Sequence, residues 1–145
     1  MFINISSIAG LASYPMASLY IASKWAVEGF TEALSYELNP FNIRLKLVEP
    51  GGFRTNFQTS SITWTDDPSI TAYNKKVAAV RAVRNKRMND LPNPIAVAEK
   101  IFEAANDPSD RLRYLVGNDA EKMWKLRQEE GAENYIQKQL KNYLQ

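Results

Sequence analysis

The chain has 145 residues, 45% of them hydrophobic and 23% charged, a balance expected of one globular domain with a real core. Its 18 Lys and Arg against 16 Asp and Glu leave a net charge of +2, too small to mark nucleic acid or an anionic membrane as the partner. With no cysteine and no histidine, a disulfide framework, a thiolate nucleophile, the usual general base and the commonest metal ligand are all excluded. No metal site is expected, and catalysis has to rest on Tyr, Lys, Ser or carboxylates.

The first charged side chain is Lys24, so a leader or membrane anchor must be weighed first. Both are rejected: no basic residues precede the apolar run, and Asn4, Ser6, Ser7, Gly10, Ser13, Pro15 and Ser18 interrupt it. The cytoplasm is therefore the expected location. Residues 1–5 read as a buried strand stopped by Ser6 and Ser7. Gly10, Ser13 and Pro15 keep residues 6–17 irregular, and Ser18 is the expected N-cap of a long amphipathic helix to Leu38, ended by Asn39 and Pro40. Ile43 to Val48 suits a second strand, closed by the turn Pro50-Gly51-Gly52.

Strand, helix and strand imply a parallel crossover. Residues 53–69 have the composition of a mobile loop or lid. A helical pattern returns over 69–89, with Ile70, Tyr73, Val77, Val80 and Val83 on one side; its basic cluster reads as a solvated face. Asn93 is expected to cap a helix from Pro94 to Asn106. Leu112 to Val116 reads as a third strand; Asp119 as the cap of a helix over 120–130; Gly131 as its C-cap; and 132–144 as a last amphipathic helix.

Tyr20 and Lys24 are four apart on the first helix and emerge on one face, where the ammonium can favour the phenolate. A tyrosine needs such a neighbour to serve as acid or base near neutrality, because its reference pKa is about 10. On spacing alone, a solvated surface pair is the ordinary reading. Ser7, thirteen residues earlier, falls at the end of the first strand, the edge where open parallel sheets bind ligands. Its hydroxyl can hold a substrate oxygen or simply cap a turn.

Taken together, N-I-S-S-I-A-G at 4–10, Y-I-A-S-K at 20–24 and P-G-G-F-R-T at 50–55 resemble three consecutive signatures of the short-chain dehydrogenase/reductase family. A-V-E-G-F-T-E-A-L at 26–34 resembles the helix after the catalytic lysine, and the similarity runs in outline through L-R-Y-L-V-G at 112–117.

The resemblance implies an α/β fold, the C-terminal part of a Rossmann-like doubly wound parallel sheet with about three strands and flanking helices, the N-terminal half missing. It implies one partial domain over 1–145, with catalytic motifs in 1–60, a substrate loop and helix in 53–92, and the last strand and C-terminal helices in 93–145. The implied activity is hydride transfer between NAD or NADP and a carbonyl or alcohol. Ser7 resembles the substrate-orienting serine, Tyr20 the proton donor or acceptor, and Lys24 the residue that lowers the tyrosine pKa and holds the nicotinamide ribose. Tyr20 and Lys24 are implied to contact the cofactor as well, and Pro50, Gly51, Phe53 and Thr55 resemble the cofactor-binding turn and its carboxamide contacts.

The family's glycine-rich phosphate loop and its NAD/NADP-selecting residue precede the catalytic serine, so the cofactor site is expected to be incomplete in this chain. The alternative expectation is an inactive remnant that serves only for association. A small-molecule substrate, moderately apolar, is expected, with Phe53, Phe57, Trp64 and Trp124 as a wall, and a homo-oligomer through the helices at 18–38 and 69–89. The apolar run at 1–5 suits a central strand with neighbours on both edges, one of which is expected to be missing here, so the exposed apolar edge should make the chain alone associate, swap or aggregate.

Overall fold

The computed structural model describes residues 1–62, 67, 69–88 and 90–144. Three strands, β1 (Phe2–Ile5), β2 (Leu45–Pro50) and β3 (Arg113–Val116), form one parallel sheet in the order β1-β2-β3. Phe2 pairs with Leu45 and Ile5 with Val48, while Leu47 pairs with Arg113 and Pro50 with Val116. The helix α1 (Ser18–Leu38) connects the first pair, and α2 (Asn74–Met88) and α3 (Ile95–Asn106) connect the second. The chain ends in α4 (Asn118–Leu144). The α/β reading is thus correct, with two parallel crossovers.

Alternation along the strands sends successive side chains to opposite faces. On one face Val48, Tyr114 and Val116 pack with Phe53, Ala104 and the α3 residues Val97 and Ile101. The other face carries Glu49, Arg113 and Leu115 toward α1 and α4, where Ile8, Leu11, Ala12, Ala120 and Tyr135 form a second core. Leu47 and Val48 are wholly buried, each worth about 1.5–3 kcal/mol against exposure. Lys46 is buried as well, its ammonium donating to the carbonyls of Asp107 and Ser109 and to the Tyr114 hydroxyl. Tyr114 in turn donates to Asp107 at 2.7 Å. Burial and this carboxylate push the Tyr114 phenol up to about 12.

Several sequence expectations are corrected. Strand β2 runs to Pro50, not Val48, because the Gly51 amide still donates to the Val116 carbonyl across the sheet. Ala17, not Ser18, occupies the N-cap of α1, which has no side-chain cap. Strand β1 is not buried on both faces: it is an edge of this sheet, with Phe2 60% and Ile5 44% exposed. In the expected loop, Phe57–Ser61 form a π-helical turn, whereas Trp64 lies outside the described residues.

The expected helix at 69–89 is α2 preceded by a short 3-10 turn at Thr71–Tyr73, and none of its residues is buried. The helix expected from Pro94 begins at Ile95, with the Asn93 side chain accepting from the Ile95 amide. The last two expected helices run together, broken only by Gly131 at φ 75° and ψ 163°. Among the described residues, no helix is long and apolar enough to cross a membrane.

Candidate active site

Because the strands are parallel, the segments after Ile5, Pro50 and Val116 emerge along one edge of the sheet, the edge that accepts ligands in such folds. Ser7 leaves β1 with an extended backbone, and its side chain caps the 3-10 turn Ile8–Gly10, accepting from the Ala9 amide at 3.2 Å. The same hydroxyl donates to the Pro50 carbonyl at 3.4 Å, tying the first strand end to the second. It is therefore a cap residue and an edge residue at once.

Tyr20 and Lys24 stand one turn apart on α1, with the Lys24 ammonium 5.9 Å from the phenol ring centre. Lys24 donates to the Ile5 carbonyl at 3.1 Å, fastening the helix to the end of β1. Partial burial pushes its ammonium below the ordinary lysine range, against the opposing field of Glu28. The Tyr20 ring meets Phe57 from the π-helical turn at 5.7 Å and 47°. Among the described residues no hydrogen bond joins Ser7 to Tyr20.

The turn after β2 is held at two points. The Gly51 amide donates to Val116 at 2.9 Å, and the Gly52 amide donates to the Asp119 carboxylate, from the first turn of α4, at 2.8 Å. A Cβ at Gly51 would fall 2.0 Å from Asp119 Oδ1, so only glycine admits this approach. Phe53 places its side chain in the core with Tyr114 and Val116, leaving its backbone at the edge. Thr55 accepts from the Phe57 amide at 3.2 Å and so bonds within its own loop.

The expected apolar wall is divided. Phe57 lies beside Tyr20, but Phe53 is core, and Trp124 lines a separate cavity of about 300 Å³ between α1 and α4 with Leu11, Trp25, Glu28, Arg113 and Arg127. Beneath that cavity is a charge cluster that the motifs did not show. Arg113 Nε lies 3.1 Å from Glu28 and 3.7 Å from Glu49, and Nη2 lies 2.6 Å from Glu32. Neither Glu49 oxygen nor Oε1 of Glu28 has a hydrogen-bond partner among the described residues. Burial, reinforced by Glu28 and opposed by Arg113, pushes the Glu49 carboxyl up to about 8. The one signal in the sequence was a glutamate inside an apolar strand, LKLVEP.

The family model described as short chain dehydrogenase matches residues 1–66, the stretch that carries β1, α1, β2 and the turn after it. An uncharacterised oxidoreductase of Schizosaccharomyces pombe is 34% identical over 125 residues, covering 81% of this chain and 49% of that protein. The crystal structure of a short-chain dehydrogenase from Streptomyces avermitilis superimposes with a TM-score of 0.70 at 29% identity, covering 97% of this chain and 48% of that one. A short-chain dehydrogenase/reductase from Burkholderia phymatum, solved in complex with NAD, gives 0.64 at 25% identity over 88% and 46%. The chain belongs to the short-chain dehydrogenase/reductase family. It spans about half the length of the curated relatives it matches.

Proposed function

We propose that this chain carries the catalytic half of an oxidoreductase that uses NAD or NADP to interconvert a carbonyl and an alcohol. The observation that carries the reading is the joining of Tyr20, Lys24 and Ser7 to one sheet edge through the Lys24 bond to Ile5 and the Ser7 bond to Pro50. The NAD in the Burkholderia phymatum neighbour supports a nicotinamide cofactor here. The donor set suits it: Lys24 spends one of its three N–H groups on Ile5, which leaves two for ribose hydroxyls. Pro50, Gly51 and the backbone of Phe53 lie at the end of β2 for the nicotinamide, with the Thr55 hydroxyl in the following loop for the carboxamide.

When bound, the nicotinamide would supply or accept hydride at C4. In the reducing direction Tyr20 gives its phenolic proton to the substrate oxygen as the carbonyl carbon becomes tetrahedral; in the oxidising direction it takes that proton back. Lys24 stabilises the negative charge left on the phenol oxygen. Ser7 turns its hydroxyl from the long bond to Pro50 toward the substrate oxygen, holding it in place while charge develops. Phe57, against the Tyr20 ring, offers an apolar side to the substrate, which suits a moderately apolar alcohol or ketone.

Titration of the chain with NADH and NADPH, followed by quenching of tryptophan fluorescence, tests the reading. Saturable binding that Lys24→Ala weakens about tenfold or more and Tyr20→Phe leaves nearly intact is expected. Absence of binding at millimolar cofactor would overturn it for this chain.

Association through α1 belongs to the same proposal. Its outward side exposes Leu19 at 82% and Phe30 at 63%, whereas its only buried residues are Glu28 and Thr31. Sedimentation should show a dimer or larger species that Leu19→Glu with Phe30→Glu converts toward monomer. A monomeric wild-type chain would remove both α1 and α2 as association surfaces.

A further inference from the structure

We propose that Asp119, beyond the segment the family model matches, is the positioning residue that sets the cofactor-facing turn after β2. The inference rests on the nicotinamide reading above. The carboxylate stands in the first turn of α4, where the helix field favours an anion. From there it reaches back across the sheet edge to accept the Gly52 amide at 2.8 Å. Its Oδ1 fills the place that a Cβ at Gly51 or Gly117 would take, at 2.0 Å and 2.8 Å. A side chain at either glycine would expel it, so the two loops and the carboxylate fit as one unit.

The consequence extends to the reacting groups through the backbone. Gly52 is anchored by Asp119, Gly51 by the Val116 carbonyl, and the carbonyl just before them, that of Pro50, accepts the Ser7 hydroxyl. Asp119 thereby fixes the plane of the Gly51–Gly52 peptide unit that faces the nicotinamide, next to the Pro50–Gly51 unit that the Val116 bond holds and whose carbonyl accepts Ser7, without touching either ligand. Without the carboxylate, the Gly52 amide turns to solvent. With two adjacent glycines, the turn then samples many conformations, whose ordering opposes cofactor binding. The requirement is an acceptor oxygen at this point, not a negative charge, and that separates positioning from electrostatics.

The test is the NADH titration of the whole chain in wild type, Asp119→Ala and Asp119→Asn, with urea midpoints measured in parallel. Asp119→Ala should weaken binding about tenfold, and Asp119→Asn, which still offers a carbonyl oxygen to Gly52, should restore it to near the wild-type value while the two midpoints stay alike. Gly51→Ala, which drives the carboxylate away by collision, should reproduce the loss in an intact Asp119 background. Equal affinity in wild type and Asp119→Ala would overturn the inference while leaving the cofactor reading in place, as would an Asn variant as weak as the Ala one. A wild-type chain indifferent both to NADH and to Lys24→Ala would overturn the cofactor reading itself, and this inference with it.

Discussion

Replacing Arg113 by methionine should lower the unfolding free energy by about 3–5 kcal/mol, the usual result when one partner is removed from a buried charge network. Arg113 opens β3 with its side chain 30% exposed and spans Glu28, Glu32 and Glu49, two of which are almost wholly out of water. Methionine retains most of the volume, so the loss isolates the charge that compensates Glu28. Urea unfolding followed by circular dichroism at pH 7 reads the change directly. Combining Arg113→Met with Glu28→Gln and Glu49→Gln should recover much of the loss, because a neutral cluster leaves no buried charge unpaired. An unchanged midpoint in Arg113→Met would show that water reaches these carboxylates and that the guanidinium is dispensable.

This cluster marks the limit of what the sequence disclosed. The order of elements was legible because each has a local signature: IRLKLV before Pro-Gly-Gly, the period of 18–38, and the apolar run at 1–5. The edge residues were legible because the motif around Tyr20 and Lys24 is itself local, four residues on one helix face. Arg113 and Glu28 are 85 residues apart and meet only because two crossovers lay β3 against the α1 side of the sheet. No periodicity carries that distance. Asp119 read as a helix cap, and it does stand in the first turn of α4; its bond to Gly52 depends on β2 and β3 being neighbours.

The exposure of β1 is the unpaired apolar edge expected of the run at 1–5, and it too depends on neighbours. FINI is apolar enough for a central strand, but exposure depends on which strand lies next to it, and here Phe2 and Ile5 face outward at an edge. Likewise α2 has apolar residues at helical spacing yet buries none, since periodicity states which side could pack and not whether anything packs there.

The acid pair also gives the protein a pH dependence whose sign is determined. Glu49 titrates near 8 in the folded chain and near the ordinary 4.5 when unfolded, so between those values the native state holds a proton that the unfolded state has released. Stability from this group is therefore fully present below about pH 4.5 and falls as pH rises, by at most about 1.4 kcal/mol per unit, until it levels off near pH 8. The chain has no histidine, so this window is otherwise sparsely populated by titrating side chains. Glu49→Gln, which mimics the protonated acid, should leave stability at pH 5 nearly unchanged, raise it by a few kcal/mol at pH 8, and flatten the slope between. Urea midpoints at pH 5, 6.5 and 8 for both proteins decide the matter. Parallel slopes would mean that Glu49 ionises as easily in the fold as outside it. In that case Arg113, rather than a shared proton, would be what lets two carboxylates lie together between the sheet and α1.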